Sequence, residues 1–179
     1  IGVTKIDLNL KLQARMNLRK LVIWKWLINI IKVNILMIER NQLGFIQGRL
    51  SPIVNGMIQA FPWGYWEEEI LIASRNDWHL MEWTLDADNL LENPLMTNAG
   101  QERILQLSAE NNLEIPNLTG DFFMQKPFFK EKESLVYEKL LADLISVIQS
   151  CSVVGIKIIV LPLVDNGSIE NLQQEERLL

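Results

Sequence analysis

Thiol and imidazole are almost absent from this chain: its 179 residues include one cysteine, Cys151, and one histidine, His79. A lone cysteine excludes an internal disulfide, and its place in an apolar, helix-period stretch makes it a small core residue. A lone histidine excludes a multi-histidine metal site within the chain. Any Ser-His-Asp or Cys-His apparatus would rest on that one residue. Positive charge is scarce beyond residue 40. Residues 41–179 hold nine Lys and Arg against twenty Asp and Glu, whereas residues 1–40 hold eight against Asp7 and Glu39. So acidic a body is poorly suited to gripping a phosphate backbone, which argues against nucleic acid as a partner. With 49% apolar and 22% charged residues, the composition is that of one globular domain with a sizeable core.

The basic leader reads differently from the body. "LVIWKWLINIIKVNILMI", residues 21–38, has about the length of a membrane span, but Lys25, Asn29, Lys32 and Asn34 interrupt it. Central lysines cost about 3 kcal/mol each on insertion scales, so a transmembrane helix is the least favoured reading. It also lacks the small-residue cleavage site of a signal peptide. The chain opens on Ile1, and Met37 directly precedes "IERNQLGFIQGRLSP", which reads as a natural start. Residues 1–36 are therefore expected to form a basic apolar helix foreign to the fold. An interfacial anchor is the alternative, and a membrane surface is a partner only through this segment. The remainder, residues 37–179, is expected to be a cytoplasmic domain.

Along that domain, short apolar runs alternate with helix-period stretches. "LGFIQ" begins at residue 43, "HLMEWTLD" at 79, "IPNLTGDFF" at 115 and "IKIIVLPLVD" at 156. A spacing of 36 to 41 residues is the period of a βα unit, which predicts an α/β fold with a parallel sheet. Between the runs, Trp66, Ile70 and Ala73 mark one helix, and Glu67 to Glu69 fall in its first turn, where negative charge suits the helix dipole. Ile104, Leu107 and Ser108 mark the next, stopped at Asn111-Asn112. Leu140, Leu144, Ile148 and Cys151 mark the longest, with Gly155 closing it. The fourth run is apolar enough for a strand buried on both faces. Four units fit a half-barrel or a small open sheet; a complete (β/α)8 barrel needs about 250 residues. The chain stops at "EERLL", inside the expected fourth helix, as a truncated barrel would. Four units also leave two open sheet edges, a route to self-association.

In parallel α/β folds, ligands bind at the C-terminal ends of strands. Here those ends carry Gln47 and Arg49; Glu82, Trp83 and Asp86; Asp121 with Phe122-Phe123; and Asp165 and Asn166. Carboxylates and amides bind hydroxyls while aromatic faces cover C–H surfaces, so the lining suits a polyhydroxylated small molecule. Each residue also has a plainer role open to it. Arg49 could pair with a surface carboxylate, Asp121 after Gly120 could serve a turn, and Asp165-Asn166-Gly167 is a turn signal by itself. Trp63, Trp66 and Trp83 could be core. Glu82 stands between Met81 and Trp83 in an apolar strand, where a charge needs a partner or a ligand. His79 starts a strand at the opposite end and reads as structural.

Taken together, "GFIQGRLSP", "IQAFPWGYWEEE", "MEWTLD", "NPLMT", "IPNLTGDFFM" and "IIVLPLVDNGS" resemble the N-terminal half of the sugar phosphate isomerase/epimerase family, xylose isomerase-like TIM barrels related to endonuclease IV. The resemblance covers residues 37–179. It implies a metal-dependent isomerase or epimerase acting on a sugar or sugar phosphate through an enediolate, with Mn²⁺, Mg²⁺ or Co²⁺ holding adjacent substrate oxygens. The family's metal ligands and catalytic glutamates come mostly from the fifth to eighth strands. No metal is therefore expected on this chain alone, and the resemblance maps substrate-shaping roles onto Gln47, Arg49, Glu82, Asp121 and Asp165. One departure is "SRNDW", residues 74–78, where relatives carry a helix-ending glycine and Asn76 is expected to turn left-handed instead. Two other readings stand beside this one. A non-catalytic sugar- or partner-binding half-barrel fits the open edges, whereas an endonuclease IV-like nuclease would need several histidines and a basic face.

Overall fold

Four short apolar segments build four strands, and among the described residues helices close over one side of them. The computed structural model describes Lys25, residues 43–54, Gly56 and residues 60–179. Contacts divide the chain into two units, Ile1–Gln42 and Leu43–Leu179. The leader helix expected over residues 1–36 lies, apart from Lys25, outside the described residues.

The second unit runs β1 (Gly44–Ile46), α1 (Trp66–Arg75), β2 (Leu80–Thr84), α2 (Asn98–Asn111), β3 (Glu114–Thr119), α3 (Asp121–Gln125), α4 (Ser134–Val154), β4 (Ile158–Val160) and α5 (Leu172–Leu178). Short 3-10 turns at Leu90–Glu92, Pro94–Met96, Phe128–Lys130 and Asp165–Gly167 fill the connections. The sheet order is β1-β2-β3-β4, and every pairing is parallel. This is the α/β repeat expected from the spacing of the apolar runs.

Register shows which side chains share a face. Trp83 stands beside Leu118, and Leu118 beside Ile159; Glu82 stands beside Asn117, and Asn117 beside Ile158. Neighbours across a parallel sheet point the same way, so these two rows point to opposite faces. On the first face Trp83, Met81 and Leu118 are buried with Ile70, Ile104 and Val147 of the helices. Trp83 contacts the rings of Phe61 at 5.4 Å and Trp66 at 5.8 Å. Its indole N–H donates to Asn93 Oδ1 at 3.2 Å. The second face carries Glu82, Asn117, Ile158 and Val160, with Ile158 57% and Val160 42% exposed. The expectation that the fourth strand is buried on both faces is therefore overturned: among the described residues, helices cover one face alone.

Local sequence explains the helix ends. Thr97 caps α2 by accepting from Gly100 N at 3.1 Å, and Asn112 ends it at φ 49°. Gly155 closes α4 at φ 87° as expected. The left-handed residue after α1 is Asp77, φ 62°, rather than Asn76, at φ −101°. On α4 Leu140 and Cys151 are buried as expected and Leu144 packs against the core, but Ile148 is 50% exposed and its neighbour Val147 is buried in its place, along with Ser150. The third run also ends early. A side chain on Gly120 would collide with the Phe123 ring, and Asp121 opens α3 instead of extending the strand. His79 sits at the start of β2, its Nδ1 2.9 Å from Asn112 O and its Nε2 3.3 Å from Asp77 Oδ1.

Trp83 is a keystone of the strand–helix layer. Trp83→Ala is expected to destabilise the domain by about 3–5 kcal/mol in urea unfolding. Trp63→Ala, at a half-exposed ring, is expected to cost about 1 kcal/mol or less.

Candidate functional site

The residues at and just beyond the C-terminal ends of β1, β2 and β3 include one basic and several acidic side chains. Glu82 points from the uncovered face, half-buried, and accepts from the Thr119 hydroxyl on the neighbouring strand. Loss of water around Glu82 raises its pKa above the ordinary glutamate range. Asp86 follows β2 and accepts from Phe61 N at 2.6 Å and from Gln125 Nε2 at 3.4 Å. Burial raises the Asp86 pKa too, although both bonds oppose the shift.

Asp121 is the most strongly perturbed of the three. It is buried at the start of α3, and no described group hydrogen-bonds its carboxylate. Desolvation, together with the charges of Asp86 and Glu82, pushes its pKa up to about 6, and the Arg49 charge opposes them. The charges of Asp86 and Glu82 thus act on Asp121 in one direction and that of Arg49 in the other, a kind of perturbation that recurs at functional sites.

Beneath this group, Gln47 is fully buried. Its Oε1 accepts from Thr84 N at 3.1 Å, and the Thr84 hydroxyl donates to Gln47 O at 3.2 Å. A backbone N–H can only donate, so the amide orientation is determined and Nε2 is the remaining donor. That Nε2 has no partner among the described residues. A buried donor left unmet costs about 1–3 kcal/mol, a cost that a ligand or water oxygen removes.

Beside Asp86 lies a cavity of about 380 Å³, whose walls include Phe61, Trp63, Asp86, Asn89, Gln125 and Lys126. Trp63 packs edge-on against Phe61 at 4.9 Å and is 36% exposed, leaving part of its surface toward solvent. A larger cleft, about 460 Å³, runs between α3 and α4 past Lys126, Lys130 and Lys139. It holds none of the three perturbed carboxylates, and Lys130 is occupied by Glu170 at 2.7 Å. Of the two, only the smaller cavity is lined by a perturbed carboxylate, Asp86.

Of the expected site residues, Arg49 and Glu82 act by charge on Asp121, and Gln47 is buried against Thr84 at the end of β2. Trp83 does not join them. Residues adjacent in a strand face opposite ways, and Glu82 takes the uncovered side. Asp165 is corrected as well: β4 ends at Val160, and Asp165 stands exposed at φ 49° in the turn beyond Pro162. Asn166 ties that turn to α3, donating to Met124 O at 3.1 Å and Gln125 O at 3.2 Å. The sequence reading missed Thr119, Gln125 and above all Glu69. Glu69 is fully buried and accepts from Gly48 N at 2.8 Å and Leu50 N at 2.8 Å. A run of three glutamates gave no sign that the third turns inward.

Among the described residues, no group of three or more His, Cys, Asp or Glu is placed to hold a metal ion. The strand-end carboxylates thus do not fit a metal centre by themselves. No described helix is long and apolar enough to cross a membrane. No protein-family model matches the chain, and no curated protein is similar to it.

The raised Asp121 pKa has a definite sign for stability. A folded-state value of about 6, against an ordinary 3.8, means that ionising Asp121 opposes folding. The penalty grows as pH rises from about 4 through 6 and is complete above that window. Asp121→Asn is therefore expected to raise stability at pH 7 by on the order of 1–2 kcal/mol, and to lose that advantage near pH 4. Thermal melts at the two pH values check this.

Proposed function

We propose that residues 43–179 form the substrate-holding part of a sugar or sugar-phosphate isomerase/epimerase of the (β/α)8-barrel type, working in the cytoplasm. The observation that carries this reading is that Asp86 lines the cavity that Trp63 flanks, while its charge, with those of Glu82 and Arg49, acts on Asp121. Ionised carboxylates accept from sugar hydroxyls, and the exposed Trp63 ring covers C–H surface. The guanidinium of Arg49 donates to a carbonyl, alkoxide or phosphate oxygen. Gln47 Nε2 supplies a further donor. Asp121, titrating near neutrality, can accept or release a proton there. The resemblance to the isomerase family accounts for an enediolate path, and the metal it implies would be held by ligands other than these carboxylates.

Binding and turnover separate on this account. D-Fructose 6-phosphate, added to the full chain, is expected to shift the Trp63 indole N–H resonance. Asp121→Ala should weaken that binding about 10- to 100-fold, the worth of one charge-assisted hydrogen bond. With Mn²⁺ added, the same chain is expected to convert neither ketohexoses nor their phosphates. Robust turnover would show that the described residues do complete the catalytic set.

A second reading, a non-catalytic sugar- or partner-binding half-barrel, draws on one observation. The uncovered face presents Ile158 and Val160, and β4 is an end strand among the described residues. Exposed apolar strand surface promotes pairing of sheets. On this reading, light scattering across a concentration series shows self-association; a monomer throughout contradicts it.

A further inference from the structure

We propose that Glu69 is a positioning residue for the strand-end site: its buried carboxylate clamps the backbone on both sides of Arg49 and thereby fixes the loop from which the Arg49 charge acts. Glu69 lies on α1, 21 residues from Gly48, and none of its surface is exposed. Gly48 N donates to both of its oxygens, at 3.0 and 2.8 Å, and Leu50 N donates to Oε1 at 2.8 Å. The two donors are the peptide N–H groups that flank Arg49.

Chemistry explains why a carboxylate stands there. Two N–H groups converge on the carboxylate, Leu50 N on Oε1 and Gly48 N on both oxygens, and an acceptor-only group turns no donor toward either. A glutamine amide would set its own N–H₂ against one of them. Charge-assisted bonds are also the stronger kind, and burial of the carboxylate strengthens them further. The loop has little freedom to settle otherwise. Gly48 is at φ +88°, where L side chains are strained, and a Cβ there would meet Ala60 O at 2.9 Å. The Glu69 carboxylate therefore sets the path of residues 48–50, and Arg49 is carried on that path.

The charge of Arg49 acts on Asp121 against the charges of Asp86 and Glu82. A loop that drifted would change the separation of that charge from Asp121. The coupling is therefore indirect, running from α1 through the backbone clamp to Arg49 and then to Asp121. It rests on the reading of the strand ends as a ligand site, but its test requires no ligand.

Carbon-13 titration of the Asp121 carboxyl in the full chain separates this role from plain loop stabilisation. Arg49→Gln removes the favourable charge and is expected to raise the Asp121 midpoint. Glu69→Gln should raise it in the same direction although Glu69 is on another element. The double variant should match Arg49→Gln alone. An unchanged midpoint in Glu69→Gln overturns the proposal, as does a Glu69→Gln shift that persists undiminished without Arg49. Should Glu69→Gln fail to fold, Gly48→Ala distorts the same loop with the carboxylate intact. It must then raise the midpoint, and an unmoved midpoint overturns the proposal. Failure of D-fructose 6-phosphate to bind would count against the ligand reading alone.

Discussion

Everything in this domain depends on the alternation of side chains along β2. Met81 and Trp83 face the helices and are buried there; Glu82 faces the other way. A slip of one residue would bring Glu82 into the layer of Phe61, Trp66 and Ile70 and expose Trp83. Burial of a large aromatic therefore sets the register, and the register delivers a carboxylate to the uncovered face. Stability and site share one cause.

Around that constraint the site is assembled by long-range bonds rather than by local sequence. Gln47 joins the ends of β1 and β2 through Thr84, Thr119 joins β3 to Glu82, and Gln125 joins α3 to Asp86. Glu69 holds the loop that bears Arg49. Each bond satisfies a polar group that the parallel sheet would otherwise leave bare at its C-terminal rim. The result is electrostatically uneven. Asp121, almost wholly excluded from solvent, bears the largest shift, raised by burial and by the charges of Asp86 and Glu82 against that of Arg49. Such a site works against the stability of the fold that carries it, as expected of a site shaped for a ligand.

The division between what the sequence revealed and what it concealed is a physical one. The βα repeat was legible because apolar runs and helix stripes are local signals, and Gly155 and Asn112 are local stop signals. The end of β3 was not, since Gly120 is required by the Phe123 ring, a contact that composition does not show. Trp83 and Glu82 looked alike as candidates at one strand end, and only the face covered by helices tells them apart. Glu69 was hidden most completely: within "EEE" it reads as a dipole-matched surface charge, and its partners lie 19 and 21 residues away. Val147 and Ile148 show the same limit on α4, where one position decides between core and solvent.

The central claim is that the strand-end carboxylates act as one coupled unit rather than as separate surface charges. The most direct measurement is the carbon-13 titration of the Asp121 carboxyl in the wild-type chain and in Asp86→Asn. Coupling predicts a wild-type midpoint of about 6 and a lower one when the Asp86 charge is removed. A wild-type midpoint in the ordinary aspartate range, unmoved by Asp86→Asn, would contradict it.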